Sequence, residues 1–173
     1  LAESNLQKLM NTRKQVAIMT GEGMIALWGA LKSCLSPGDK VLSLSTGLFG
    51  TGIGNMARSV GANVETLAFP SDETFSDWGR IEEAIVRFQP KMITAVHCET
   101  PSGTLNPIEK VGELKARHNV PLLYVDAVSS VGGAPVLADK WQVDLCLGGT
   151  QKCISAPASL SFMTVSDTAW EIV

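Results

Sequence analysis

Short β-branched and aliphatic runs recur along the chain at Val16–Met19, Lys40–Ser45, Asn63–Phe69, Met92–His97, Leu122–Asp126, Leu145–Gly148 and Ser161–Val165. Each is too short for a helix and reads as a strand. The intervening stretches have a different period. Thr51–Val60, Trp78–Phe88 and Ile108–His118 repeat apolar positions at helical spacing and keep a polar face. Ser76 and Asp77 are candidate caps for the second of these, and Pro107 opens the third. Glu22–Leu35 carries apolar residues all round (Met24, Ile25, Leu27, Trp28, Leu31) and stops at Ser36-Pro37-Gly38-Asp39, so it is expected to be a buried helix.

Several of these runs are apolar without strict alternation, as strands covered on both faces are. Strand and helix alternate. That combination predicts an α/β architecture of three layers, a mainly parallel sheet with helices on both faces. In such sheets ligands gather beyond the carboxyl ends of the strands, so the segments after each strand are where chemistry is sought.

Composition narrows the partners. Fourteen basic against 17 acidic side chains leave a net charge of −3, which offers nucleic acid or an anionic membrane no electrostatic attraction. No apolar run is long enough to span a bilayer, and Leu1-Ala2-Glu3-Ser4-Asn5 lacks the build of a signal peptide. An intracellular location, cytoplasmic or peroxisomal, is expected. The absence of an initiator Met suggests an excerpt from a longer chain. Cys34, Cys98, Cys146 and Cys153 have neither CxxC nor metal-ligand spacing, and are expected to be reduced, inert core thiols. No metal site is expected.

Five strand-end segments are rich in small and polar residues: Thr20–Met24, Thr46–Gly50, His97–Thr104, Asp126–Ser130 and Gly148–Cys153. Asp126 ends a strand, where a partly desolvated carboxylate needs a cation or a hydrogen-bond donor. A pyridinium nitrogen would serve, although alone Asp126 reads more simply as a helix cap or turn former. Lys152, in Gly-Thr-Gln-Lys-Cys-Ile, has glycines and apolar residues around it rather than a charged face. That setting suits a nucleophilic amine, while an isolated lysine reads more simply as a surface residue.

Together these segments carry a resemblance. Asp126-Ala-Val-Ser-Ser-Val-Gly-Gly followed by Gly149-Thr-Gln-Lys152, with Asp and Lys 26 residues apart, resembles the class V aminotransferase family of fold-type I pyridoxal-phosphate enzymes. Alanine–glyoxylate, serine–pyruvate and pyridoxamine–pyruvate transaminases are the members it is most similar to, and the likeness spans essentially the whole chain.

The resemblance implies a fold-type I large domain over residues 1–173, with the family's small C-terminal domain absent. It implies that Lys152 holds pyridoxal 5′-phosphate as a Schiff base and then moves protons, while Asp126 keeps the ring nitrogen protonated. Phe49 matches the aromatic that stacks on the ring. Thr100 is the candidate hydroxyl of a His-x-Glu-Thr/Ser-x-x-Gly loop, in which Pro101 stands where some members carry a hydroxyl residue. Gly21, Glu22, Gly23 and Met24 occupy the phosphate-binding turn, with Val128 and Gln151 also at the cofactor. His97 and His118 read as structural, the latter suiting a helix C-terminus. None of Arg13, Arg58, Arg80, Arg87 and Arg117 sits in a motif for the substrate-carboxylate arginine, which the family draws from its small domain.

Glu22 departs from the family pattern, because a carboxylate beside a phosphate dianion is repelled. Either it points to solvent as a first-turn acid, with phosphate held by Gly23, Met24 and Gln151, or it fills the anion site and the pocket takes unphosphorylated pyridoxal or pyridoxamine as substrate. The expected activity is amino-group transfer between a small amino donor and glyoxylate or pyruvate, by a homodimer acting on amino and oxo acids. A pyridoxamine–pyruvate transaminase, a lyase or desulfurase on the same scaffold, and a cofactor-binding domain without turnover remain the alternatives. A mobile cysteine loop would mark the desulfurase, and no cysteine sits in an obvious long polar loop.

Overall fold

In the computed structural model, which describes residues 1–173, the chain runs α1 (Ala2–Leu9), β1 (Gln15–Thr20), α2 (Gly23–Cys34), β2 (Lys40–Ser45), α3 (Leu48–Ser59), β3 (Asn63–Ala68), α4 (Trp78–Phe88), β4 (Met92–Val96), β5 (Cys98–Glu99), β6 (Thr104–Leu105), α5 (Ile108–Arg117), β7 (Leu122–Asp126), β8 (Leu145–Gly149), β9 (Leu160–Val165) and α6 (Asp167–Ile172). Seven strands form one sheet in the order β1-β9-β8-β7-β4-β2-β3, and β5 and β6 make a separate two-stranded hairpin. Only β9 runs against its neighbours; the strands from β8 to β3 pair in parallel.

Side-chain alternation sends successive residues of each central strand to opposite faces, and both faces are apolar. Leu42, Ile93, Leu123, Val125 and Cys146 pack with Ile81 and Ile85 of α4 and Val111 and Leu114 of α5. Val41, Met92, Leu122, Tyr124 and Leu145 pack with Leu27 and Leu31 of α2 and Ile53 and Ala57 of α3. The three-layer α/β expectation therefore holds, and the near-continuous burial of the central strands β4, β7 and β8 explains why their apolar residues do not alternate with polar ones.

Helix ends follow local chemistry where a cap lies nearby. Asp77 accepts from Arg80 N at 3.0 Å to open α4, and Ser166 accepts from Ala169 N at 3.1 Å to open α6. Three features differ from the sequence expectations. The helix α1 was not foreseen, because Ala-Glu-Ser-Asn-Leu-Gln-Lys-Leu buries no residue fully and shows little apolar signal. The hairpin is too short for any periodicity. The helix α2 is not buried all round, because its outer face leaves Met24 and Ile25 exposed.

Gly112 marks the closest helix approach. A β-carbon there would lie 1.9 Å from the Trp141 carbonyl oxygen, so α5 rests directly on backbone. Gly112→Ala is expected to cost about 3 kcal/mol, the upper range for overpacking, read as a lower urea midpoint with unchanged slope.

Candidate active site

The strand order carries Asp126 and Lys152 together. Strands β7 and β8 are parallel neighbours with Asp126 paired to Leu147, so both chains reach the carboxyl edge side by side. On β7, Asp126 shares a face with Tyr124, toward α2 and α3. A cavity of about 240 Å³ opens on that side, lined by Asp126 and Lys152 from the strand ends, Glu22, Gly23, Met24 and Leu27 from the start of α2, and Phe49 from the start of α3. Val96, Cys98, Thr100, Val128, Ser129, Leu147 and Gln151 complete the wall.

Nine of the ten expected site residues thus converge on one space. Gly21 does not line it. Its positive φ of 115° turns the chain from β1 into α2, its N–H donates to Ser159 O at 2.7 Å, and a β-carbon there would strike Ile25 at 2.2 Å. Sequence reasoning missed Leu27, Val96 and Leu147, which look like any core residue. It also missed Cys98 and Ser129, which lay inside motifs already singled out.

Asp126 accepts a hydrogen bond from Val128 N at 2.9 Å. Burial pushes its pKa up to about 6, the Val128 bond partly offsets this, and the charges of Glu99 and Glu22 push upward while Lys152 pulls down. The carboxyl is enclosed by protein yet borders the cavity, so a donor placed there would meet it directly. Glu22 caps α2 without a side-chain bond to the helix and lines the cavity. It is half-buried, and its charge reaches Asp126. The Gln151 Oε1 is buried with no hydrogen-bond partner, an unsatisfied group in the wall.

The surrounding hydroxyls are ordered. Thr100 Oγ1 and Ser129 Oγ hydrogen-bond to each other, and Cys153 Sγ donates to Ser129 O at 3.3 Å. Cys34 and Cys146 are buried as expected, with burial pushing the Cys146 thiol up to about 12. Cys98 is half-buried on the cavity and Cys153 is exposed on the β8–β9 connection, so these two are not core thiols and one does lie in a loop. His97 is buried, 2.8 Å from Ser130 Oγ and edge-on to Trp141, and burial holds its pKa down at about 4, so it stays neutral. His118 meets Glu82 Oε1 of α4 at 2.7 Å, a specific partner beyond the helix end.

A lysine and an acid from adjoining strand ends and an aromatic from the start of α3 line one cavity at the carboxyl edge of a mainly parallel sheet, and the fold is that of the fold-type I large domain. The chain belongs to the class V aminotransferases, whose family model matches residues 2–172. It is 35% identical to an uncharacterised aminotransferase of Methanocaldococcus jannaschii over 97% of this chain and 43% of that one. It is 34% identical to pyridoxamine–pyruvate transaminase of Mesorhizobium japonicum over 95% of this chain and 42% of the relative. The crystal structure of alanine–glyoxylate aminotransferase from Nostoc sp. superimposes with a TM-score of 0.93 at 34% identity, over 98% of this chain and 45% of the other. The chain thus spans less than half the length of these relatives. No helix is long and apolar enough to cross a membrane.

Proposed function

We propose that residues 1–173 form the cofactor-binding large domain of an aminotransferase that moves an amino group between a small amino donor and glyoxylate or pyruvate. The observation that carries this reading is the convergence of Lys152, Asp126 and Phe49 on one cavity. The residues present fit pyridoxal phosphate: the Asp126 carboxyl borders the cavity, the Phe49 ring offers a stacking face, and the start of α2 carries no side-chain cap. When bound, that cofactor supplies an aldehyde and an electron-withdrawing ring.

The chain's own residues divide the work. Lys152 would hold the cofactor through its Nζ and, when free, would hold or move a proton at the substrate carbon. Asp126, ionised at neutral pH, would accept from the ring nitrogen and favour its protonated form. Phe49 would exclude water from one face of the ring, and Thr100 would offer its hydroxyl to the ring oxygen. The backbone N–H groups of Gly23 and Met24, with Gln151, would hold the phosphate. Exposed Met24, Ile25 and Leu48 around the mouth support a homodimer in which a second copy covers this edge.

A specific observation favours a second reading, a transaminase that uses unphosphorylated pyridoxamine: Glu22, the cap residue of α2, lines the cavity and its charge acts on Asp126. Both readings are tested by titrating the chain with pyridoxal phosphate and with pyridoxal. Glu22→Gly is expected to raise affinity for the phosphorylated form about tenfold, equal to ~1.4 kcal/mol of relieved repulsion, and to leave pyridoxal nearly unchanged. A native preference for pyridoxal phosphate refutes the second reading. Equal response of the two ligands to the substitution refutes the placement of Glu22 at the phosphate.

A further inference from the structure

Glu99 is among the least exposed charged side chains, at 1%, and no cation pairs with it. A buried carboxylate without a counter-ion needs strong donors. It finds them 50 residues away, at the N-terminus of α3, where Phe49 N donates to Oε1 at 2.7 Å and Gly50 N donates to Oε2 at 3.2 Å. The cap residue of that helix, Gly47, supplies no side chain, and a β-carbon on it would lie 2.7 Å from Glu99 Cγ. The site at the start of α3 is therefore filled from within the protein.

The location gives the contact its meaning. Glu99 lies between Cys98 and Thr100, both on the cavity wall, and its own carbonyl accepts from Gly103 N at 2.8 Å to close the hairpin loop. The buried Asn106 makes a second tie between the same walls, donating to Thr46 Oγ1 and Val96 O, each at 2.9 Å. One carboxylate thus fixes the wall that carries Phe49 against the wall that carries Thr100.

We propose that Glu99 is a positioning residue: by capping the first turn of α3 it sets the Phe49 ring over the cavity and locks the Thr100 hairpin opposite, without itself touching the ligand. This rests on the proposed cofactor site. A purely structural carboxylate would stabilise the fold independently of Phe49, whereas a positioning one acts on the ligand through Phe49, and the two roles are separable.

The test is a double-mutant cycle on pyridoxal phosphate affinity, followed by the visible absorbance of the lysine-bound cofactor, in the full chain and in Glu99→Gln, Phe49→Ala and the double variant. Amide exchange at residues 48–51 is measured on the same proteins without cofactor. Glu99→Gln is expected to weaken affinity about tenfold and to speed exchange of the Phe49 and Gly50 amides. Phe49→Ala is expected to weaken affinity to a similar degree, and the double variant no further than about the worse single one. Losses that multiply, unchanged affinity in Glu99→Gln, or amides that stay protected overturn the proposal. If Glu99→Gln does not fold, Gly47→Ala displaces the same carboxylate from the opposite side, and the same cycle and outcomes apply. A wild-type chain that gives no absorbance band refutes the proposed function, and the positioning role falls with it; a wild-type band with multiplying losses refutes the positioning role alone.

Discussion

Lys152→Ala is expected to abolish the absorbance band that pyridoxal phosphate acquires on a lysine, and to lower amino transfer at least about a thousandfold. The expectation comes from where the amine sits. Strand β8 ends in Gly148 and Gly149, and a β-carbon at Gly148 would lie 2.2 Å from the Phe162 ring, so the strand end packs against β9 with no room for a side chain. The chain then delivers a half-buried Lys152, with no carboxylate in ion-pair contact, to a cavity that Asp126 also lines. Borohydride reduction followed by mass measurement checks the anchor directly. A cofactor-sized mass retained on Lys152→Ala would place the covalent attachment elsewhere and remove the basis of the proposed function.

Asp126→Asn has the second large effect, and its two consequences have opposite signs. The folded carboxyl is pushed up to about 6 from an ordinary value of 3.8. The folded state therefore binds more protons than the unfolded chain between those values, and stability falls as pH rises through that window. Above pH 6 the full penalty applies, about 3 kcal/mol at most from a shift of this size. Asn cannot ionise, so the cofactor-free variant is expected to be more stable than wild type at pH 7 by about 1–3 kcal/mol and to lose the decline between pH 4 and 6. Cofactor affinity and turnover are expected to drop, because a neutral amide cannot hold the ring nitrogen protonated. Thermal unfolding across pH 4–8, without and with pyridoxal phosphate, reads both effects. A variant that is less stable than wild type at pH 7 without cofactor would show that the carboxylate is not strained by burial.

The contrast between α3 and α4 shows what the sequence could disclose. For α4 the cap, Asp77, is adjacent to the helix, and the expected span Trp78–Phe88 is the observed one. For α3 the expected start was Thr51, yet the helix begins at Leu48, because its first N–H groups are held by Glu99 from a hairpin that local periodicity cannot reveal. Similarly, Asp126 and Lys152 could be named from their motifs, while the apolar lining by Leu27, Val96 and Leu147 depends on which strands become neighbours. The exposed flank of α2 was hidden for the opposite reason. An all-round apolar pattern does not say whether sheet, solvent or another subunit covers it.

The reversed direction of β9 has a mechanical consequence. The residues between β8 and β9 must leave and return at the same edge of the sheet, and they are cinched at several points: Thr150 N donates to Leu160 O at 3.2 Å, Ala156 N to Thr150 O at 2.9 Å, and Ser155 N to Lys152 O at 2.9 Å. The main chain beneath Lys152 is thus a fixed pivot, and its flexible four-carbon arm supplies the reach. With Lys152 as the proposed anchor and proton carrier, a change between those roles would need rotations of that arm alone and no opening of the loop.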